Sequence, residues 1–155
     1  MKATPTFTLR PSSIDDTPLF YNVIDLTMRE FIIATWGAWN ETRVRQEALE
    51  HSSSPHRQII QVGDVAAGIF SVERYPTHIQ LQQIYLLPEY QRLGIGSELI
   101  SRLIIEGSQL QIPVRLHVMA VNPAKQFYEQ LGFVVTAAAP EFFYRTHLRS
   151  LLAIA

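Results

Sequence analysis

The chain has no cysteine. That excludes disulfides, thiolate metal sites and a cysteine nucleophile together, and it permits a reducing compartment. A basic run is also missing. The 13 Lys and Arg residues stand singly against 14 Asp and Glu, for a formal net charge of −1, so nothing draws the chain toward nucleic acid or an anionic membrane surface. No stretch reaches the roughly 18 to 20 uninterrupted apolar residues that a membrane helix needs. The opening MKATPTFTLRPSS carries no apolar core of signal-peptide length, so a cytoplasmic location is the expectation. His51, His56 and His117 show no pairing at metal-ligand spacing, and there is no GxSxG elbow. Neither a metal nor a covalent acyl-enzyme is expected. Without an internal repeat, low-complexity segment or linker, residues 1–155 are expected to form one domain.

What is present is a compact composition. Hydrophobic residues make up 47% of the 155 positions and charged residues 17%, and the mean hydropathy is +0.06, enough to build a core. Thr6 to Arg10 alternates like a strand and is closed by Pro11; Ser12 or Ser13 then caps a helix with Asp15 and Asp16 in its first turn. Leu19, Phe20, Val23, Ile24, Met28, Phe31 and Ile32 fall at helical spacing, and the helix ends near Gly37. A more polar helix follows from about Asn40 to Glu50, broken by the serine-proline run at 52–55.

From His56 the period changes to that of strands. HRQIIQV, AAGIFSVERY and HIQLQQIYLL are separated by Gly63-Asp64 and Pro76-Thr77, as in an antiparallel meander. A helix packed through Ile95, Leu99, Ile100, Leu103 and Ile104 comes next, then a strand over 113–119, a short helix over 122–130 stopped by Gly132, and closing strands over 133–135 and 142–147. The order β-α-α-β-β-β-α-β-α-β-β predicts an α/β fold of the α+β type, with a mixed, mostly antiparallel central sheet flanked by helices.

The organising stretch is YLLPEYQRLGIGSELISRLI, residues 85–104. A strand end, a proline turn and a glycine-spaced loop lead into an amphipathic helix. Amides at Gly94 and Gly96 can approach an anion unobstructed by Cβ, aided by the positive end of the helix dipole. An ordinary strand-to-helix turn would also use two glycines. A nucleoside triphosphate loop would need Lys and then Ser or Thr after the second glycine, where Ser97-Glu98 stands. A dinucleotide fingerprint would need a third small residue where Leu99 stands.

Pro88-Glu89-Tyr90-Gln91-Arg92-Leu93-Gly94-Ile95-Gly96 closely resembles the glutamine or arginine, two variable residues, glycine, variable, glycine or alanine signature of the GNAT superfamily of acetyl-CoA-dependent N-acetyltransferases. A second block, Val121 to Phe133, resembles the family's later motif, in which an alanine-rich helix carries a tyrosine and ends in glycine-phenylalanine. The two stand in the family's order, about thirty residues apart and joined by a strand, and the element order extends the resemblance over nearly the whole chain.

The resemblance implies roles position by position. Amides of Arg92, Leu93, Gly94, Ile95, Gly96 and Ser97 would hold the pyrophosphate of coenzyme A, with Gln91 beside them. The backbone of Ile84, Tyr85 and Leu86 would pair with the pantetheine arm like an added strand. Asn122 and Phe127 would contact the cofactor, although Asn122 precedes the tyrosine by six residues where seven is common in the family. Tyr128 would be the general acid that protonates the departing thiolate, since a phenol is protonated at neutral pH. Gln83 stands where relatives often hold a carboxylate, and a carboxamide can position a water or the acceptor but cannot take a proton. Glu73 or His78 can serve as base, or the amine can arrive neutral and lose its proton to water.

The acceptor pocket is implied to form from the first two helices and the closing hairpin, which hold Phe31, Trp36, Trp39, Phe142, Phe143 and Tyr144. These rings can line a cleft for an amine or belong to the core. The segment 31–37 with Trp39, together with His147, also resembles a subgroup of small uncharacterised members of the family. The expected activity is direct acetyl transfer from acetyl-CoA to a primary amine, on a small molecule or a protein, in a ternary complex. The alternative is a non-catalytic acyl-CoA-binding or sensing module of the same fold. A second copy of the chain is a candidate partner, as in a homodimer.

Overall fold

The computed structural model describes residues 3–119, 122–138 and 142–147. Its elements follow the expected order: β1 (Thr8–Pro11), a 3-10 turn (Ile14–Asp16), α1 (Thr17–Trp36), α2 (Glu41–Ser52), β2 (Arg57–Val62), β3 (Val65–Arg74), β4 (Ile79–Leu86), a second 3-10 turn (Pro88–Tyr90), α3 (Ile95–Leu110), β5 (Val114–Met119), α4 (Lys125–Gln130), β6 (Val134–Ala138) and β7 (Phe142–His147). The strands form one sheet in the order β1-β2-β3-β4-β5-β7-β6. Among its registered pairs, β1/β2, β2/β3, β5/β7 and β6/β7 are antiparallel, and β4/β5 is parallel through Ile79 opposite Val114. This is the mixed, mostly antiparallel sheet that the strand pattern predicts.

By compactness the chain divides into two units, Met1–Ser71 with Gln83–Gly96, and Val72–Gln82 with Ser97–Ala155. In the first unit, α1 begins behind a proline in its first turn and ends at Gly37, whose left-handed φ of 82° lets its N–H reach the Ile33 carbonyl at 2.7 Å. Asn40 caps α2 by accepting from the Arg43 N–H at 3.0 Å, as expected of a short side chain with a carbonyl oxygen at that position. Phe20 and Val23 of α1, Ala48 of α2, Ile59 of β2 and Ile69 of β3 form a buried cluster, with Tyr85 and Leu87 packed on it.

Gly68 is the close approach in this unit: a Cβ there would land on the carbonyl oxygen of Tyr85, so β3 can lie this near β4 only with glycine at 68. In the second unit Leu99, Ile100 and Leu103 of α3, Val114 and Leu116 of β5, and Phe133 are buried. Arg74 grips Glu106 through two hydrogen bonds of 2.6 and 2.9 Å.

Several boundaries differ from the sequence pattern, β6 among them, which runs over Val134–Ala138 instead of 133–135, and three of the differences have a visible cause. Asp15 and Asp16 do not sit in the first turn of α1 but in the separate 3-10 turn before it, where the Asp16 carboxylate is held by the Ser13 N–H and by Arg10. Pro11 is the last residue of β1 rather than its terminator, opposite Gln58; β1 ends the strand order, and an edge position tolerates a residue with no N–H. Helix α4 starts at Lys125 instead of Asn122, because the Asn122 Oδ1 accepts from the Ala124 N–H at 3.0 Å and closes a turn first.

Candidate functional site

The glycine loop and the last four residues of the strand before it, 83–86, lie in the first unit. Strand β4 ends at Leu86, the chain makes the 3-10 turn Pro88–Tyr90, and α3 starts at Ile95. Gln91 ties this turn to the strand: its Nε2 donates to the Leu86 carbonyl at 2.9 Å. Leu87 donates its N–H to the Ala67 carbonyl, also at 2.9 Å. The loop then turns through two left-handed residues, Arg92 at φ 61° and Gly94 at φ 89°. An L-residue such as Arg92 adopts that conformation rarely. Helix α3 follows at once, with the unpaired N–H groups of its first turn and its dipole.

These features fit an anionic group at the loop, although the bare α-carbon of Gly94 has a neighbour of its own. A Cβ there would meet the Thr4 hydroxyl. Gly94 is therefore required by its backbone angle and by the N-terminal segment, and the amides, not the missing side chain at 94, are what the loop offers a ligand.

Upstream on β4, Gln83, Ile84, Tyr85 and Leu86 are half-buried. Burial pushes the Tyr85 phenol up, against a smaller pull from the Arg57 guanidinium. The Gln83 Nε2 lies 3.4 Å from the His51 Nδ1 in the last turn of α2, and the Gln83 Oε1 is buried without a hydrogen-bond partner. Sequence reasoning tests His51 only for metal spacing. Its approach to Gln83 spans 32 residues and leaves no local signature.

Of the aromatic candidates in this unit, Phe31 is half-buried on α1 and Trp36 stands exposed at the end of that helix. Trp39 is pinned. Its Nε1–H donates to the Glu41 Oε2 at 2.8 Å, and Arg29 lies over its ring at 4.2 Å. The same carboxylate accepts from the Tyr21 hydroxyl at 2.7 Å and from the Arg45 Nε at 2.8 Å, while Arg45 lies over the Tyr21 ring at 4.2 Å. Donation from Trp39 and then Tyr21 holds the Glu41 carboxyl below its usual range. A cavity of about 310 Å³ beside this cluster is lined by Thr17, Pro18, Tyr21, Asn22, Arg45 and Ala48.

The second unit holds the other candidates. Tyr128 on α4 is 8% exposed, with its ring edge-on to Phe127 at 5.1 Å and to Phe133 at 6.0 Å. Its carbonyl receives the Leu131 and Phe133 N–H groups at 3.2 and 3.0 Å, so the glycine-phenylalanine turn is folded back onto this residue. The Asn122 oxygen is engaged by Ala124. Ser97 is half-buried in the first turn of α3. Glu73 accepts from the Tyr75 hydroxyl, and Tyr75 stacks on His78 with centroids 4.8 Å apart; these three residues flank the turn that leads into β4, whereas the glycine loop follows its last residue. Tyr144 lies on β7 opposite His117 and Ala137. The side chains of Phe142, Phe143, Tyr144 and His147, and residue Val121 altogether, lie outside the described residues. Among the described residues no group of three or more His, Asp or Glu is placed to hold a metal ion, and no helix is long and apolar enough to cross a membrane.

No curated protein matches the sequence. Solved structures do match the fold. An acetyltransferase from Thermus thermophilus is 21% identical, with 94% of this chain and 98% of that one covered at a TM-score of 0.70. The PaiA N-acetyltransferase from Thermoplasma acidophilum, in complex with coenzyme A, is 19% identical over 91% of this chain and 98% of its own, at 0.67. Naa50 from Arabidopsis thaliana, in complex with the bisubstrate analogue CoA-Ac-MVNAL, is 15% identical over 90% and 96%, at 0.60. At these identities the likeness is one of fold. The family is given by the sequence itself, which matches the acetyltransferase (GNAT) domain over residues 25–148: the chain belongs to the GNAT acetyltransferase family.

Proposed function

We propose that this protein transfers an acetyl group from acetyl-CoA to a primary amine, by direct attack within a ternary complex. The observation that carries the reading is the loop between β4 and α3, where left-handed Arg92 and Gly94 lead straight into the amide-rich first turn of a helix. Amides of Arg92 to Ser97 hold the pyrophosphate, Gln91 braces the turn, and the Ile84 to Leu86 backbone pairs with the pantetheine amides. Asn122 and Phe127 contribute from the second sequence block. Acetyl-CoA supplies an activated thioester carbonyl.

The chain's part is to hold that carbonyl, to admit the amine and to move protons. Tyr128, edge-on to Phe127 and Phe133, donates a proton to the leaving sulfur. Phe31, Trp36, Trp39 and Tyr144 border the acceptor, which is a small-molecule or protein amine, and the reaction needs no metal. The protein works in the cytoplasm, as a monomer or a homodimer.

One observation favours a second reading. Gln83 cannot accept a proton, as suits a module that binds acyl-CoA without turnover. Calorimetry with acetyl-CoA, followed by thiol release over a panel of primary amines, decides between them. Binding with transfer to any amine supports the enzyme, binding without transfer supports the module, and no binding at millimolar cofactor defeats both.

A further inference from the structure

Acetyl transfer requires a destination for one more proton, the one that the amine must lose. Gln83 cannot take it, but the imidazole beside Gln83 can. The His51 Nδ1 lies 3.4 Å from the Gln83 carboxamide, a long hydrogen bond of the kind that tightens when a site is occupied. The Gln83 Oε1 is buried and has no partner, an expensive state for a carbonyl oxygen.

The two ends of a carboxamide are nearly identical in shape, and half a turn exchanges them. So turned, Oε1 accepts from the His51 Nδ1–H across the same 3.4 Å and is no longer an orphan, while Nε2 takes its former place. The ring proton is then fixed on Nδ1, and Nε2 keeps its lone pair with no partner among the described residues. Gln83 also leads directly into Ile84, Tyr85 and Leu86, so the imidazole stands beside the start of the strand segment assigned to the pantetheine arm.

The charged groups that act on His51 are Arg57 of β2 and Glu47 and Glu50 of its own helix. Burial lowers its basicity, Arg57 lowers it further, and the two carboxylates oppose them. A neutral ring near pH 7 is the form that can accept a proton.

We propose that His51, oriented by Gln83, is the proton acceptor for the attacking amine. The proposal rests on the acetyl-transfer reading. As the amine nitrogen bonds to the acetyl carbon and the carbon–sulfur bond breaks, the N–H proton passes to the His51 Nε2, directly or through one water. The sulfur leaves as a thiolate and takes the phenolic proton of Tyr128. Solvent then restores both residues. Gln83 is a positioning residue, holding the tautomer.

The experiment follows thiol release from acetyl-CoA with a panel of primary amines, across about pH 6 to pH 9, for the wild type, His51→Ala and Gln83→Glu. Acetyl-CoA affinity is measured on each by calorimetry. His51→Ala is expected to lose about 10²- to 10⁴-fold in turnover, to keep its cofactor affinity, and to recover in part with added imidazole. Gln83→Glu is expected to shift the ascending limb of the pH profile upward, because a carboxylate facing the ring favours imidazolium; this readout also decides the case if His51→Ala does not fold. Wild-type turnover in His51→Ala, or loss without imidazole rescue beside an unmoved limb in Gln83→Glu, overturns the role of His51 alone. A wild type that binds acetyl-CoA but acetylates no amine overturns the transfer reading and the proton acceptor with it.

Discussion

Thr4 holds its hydroxyl where a side chain on Gly94 would begin. The N-terminal segment is thereby fitted to the loop that precedes α3, and Gly94 answers both to this contact and to its φ of 89°. Gly94→Ala should cost about 1 to 3 kcal/mol, the range for a residue forced into a rare backbone region. Adding Thr4→Gly removes the collision but not the backbone strain, so the double variant should regain part of the loss. Chemical denaturation of the single and double variants checks this, and a Gly94→Ala protein as stable as the wild type would contradict it.

Asp16 is buried at 8% exposure and accepts from both Arg10 terminal nitrogens, at 3.0 and 2.8 Å, and from the Ser13 N–H at 2.9 Å. Hydrogen bonding from Arg10 is the main cause that holds its carboxyl below the usual range. A group whose folded pKa is depressed adds stability above its unfolded pKa, about 3.9, and loses it as pH falls through the lower folded value. The contribution is thus complete at neutral pH and fades below about pH 4. Asp16→Asn should destabilise at pH 7 by about 1.5 to 3 kcal/mol, the range for hydrogen bonds to charged groups, and should flatten the acid limb of stability. Urea unfolding at pH 7 and near pH 3 reads both effects; equal losses at the two pH values would remove Asp16 from this role.

Glu41 gathers three donors, from Trp39, Tyr21 and Arg45, and so decides where the Trp39 ring lies. Glu41→Ala removes the acceptor of the indole N–H at an exposed position and leaves only Arg29 over the ring, so little stability is at stake. If Trp39 borders the acceptor, the variant should show a KM for the amine raised several-fold with acetyl-CoA affinity unchanged. Steady-state kinetics and calorimetry separate the two quantities, and an unaltered KM would place Trp39 outside the acceptor site.

The element order was readable because periodicity is local. Leu99, Ile100 and Leu103 mark the buried side of α3 by spacing alone, Asn40 marks the start of α2, and Gly37 the end of α1. The loop at 91–96 was readable in part: Gly94 takes the left-handed angle that glycine permits, but the other left-handed residue is Arg92, and Gly96 already lies in α3. What stayed hidden are contacts between residues distant in sequence. Thr4 on Gly94, His51 on Gln83 and Tyr21 on Glu41 join segments whose own patterns carry no trace of the partner. The turn at Asn122 fell between these cases: asparagine before proline can start a helix or close a turn, and the Ala124 N–H decides for the turn.

Tyr128 offers the sharpest separation of chemistry from binding. Its ring is packed between Phe127 and Phe133, and its backbone carbonyl anchors the turn after α4. Tyr128→Phe keeps the ring and every backbone bond, so the fold and the loop at 91–96 should be unaffected. What is lost is the phenolic hydroxyl, with its proton. If that proton goes to the leaving sulfur, turnover should fall by about 10²- to 10⁴-fold, the range for a general acid, while acetyl-CoA affinity stays within a factor of about two. An amine acetylation assay beside calorimetry measures both. Loss of kcat with affinity intact fits an interaction made only in the transition state. A matched loss of affinity would instead make Tyr128 a cofactor contact, and unchanged turnover would take it out of the reaction.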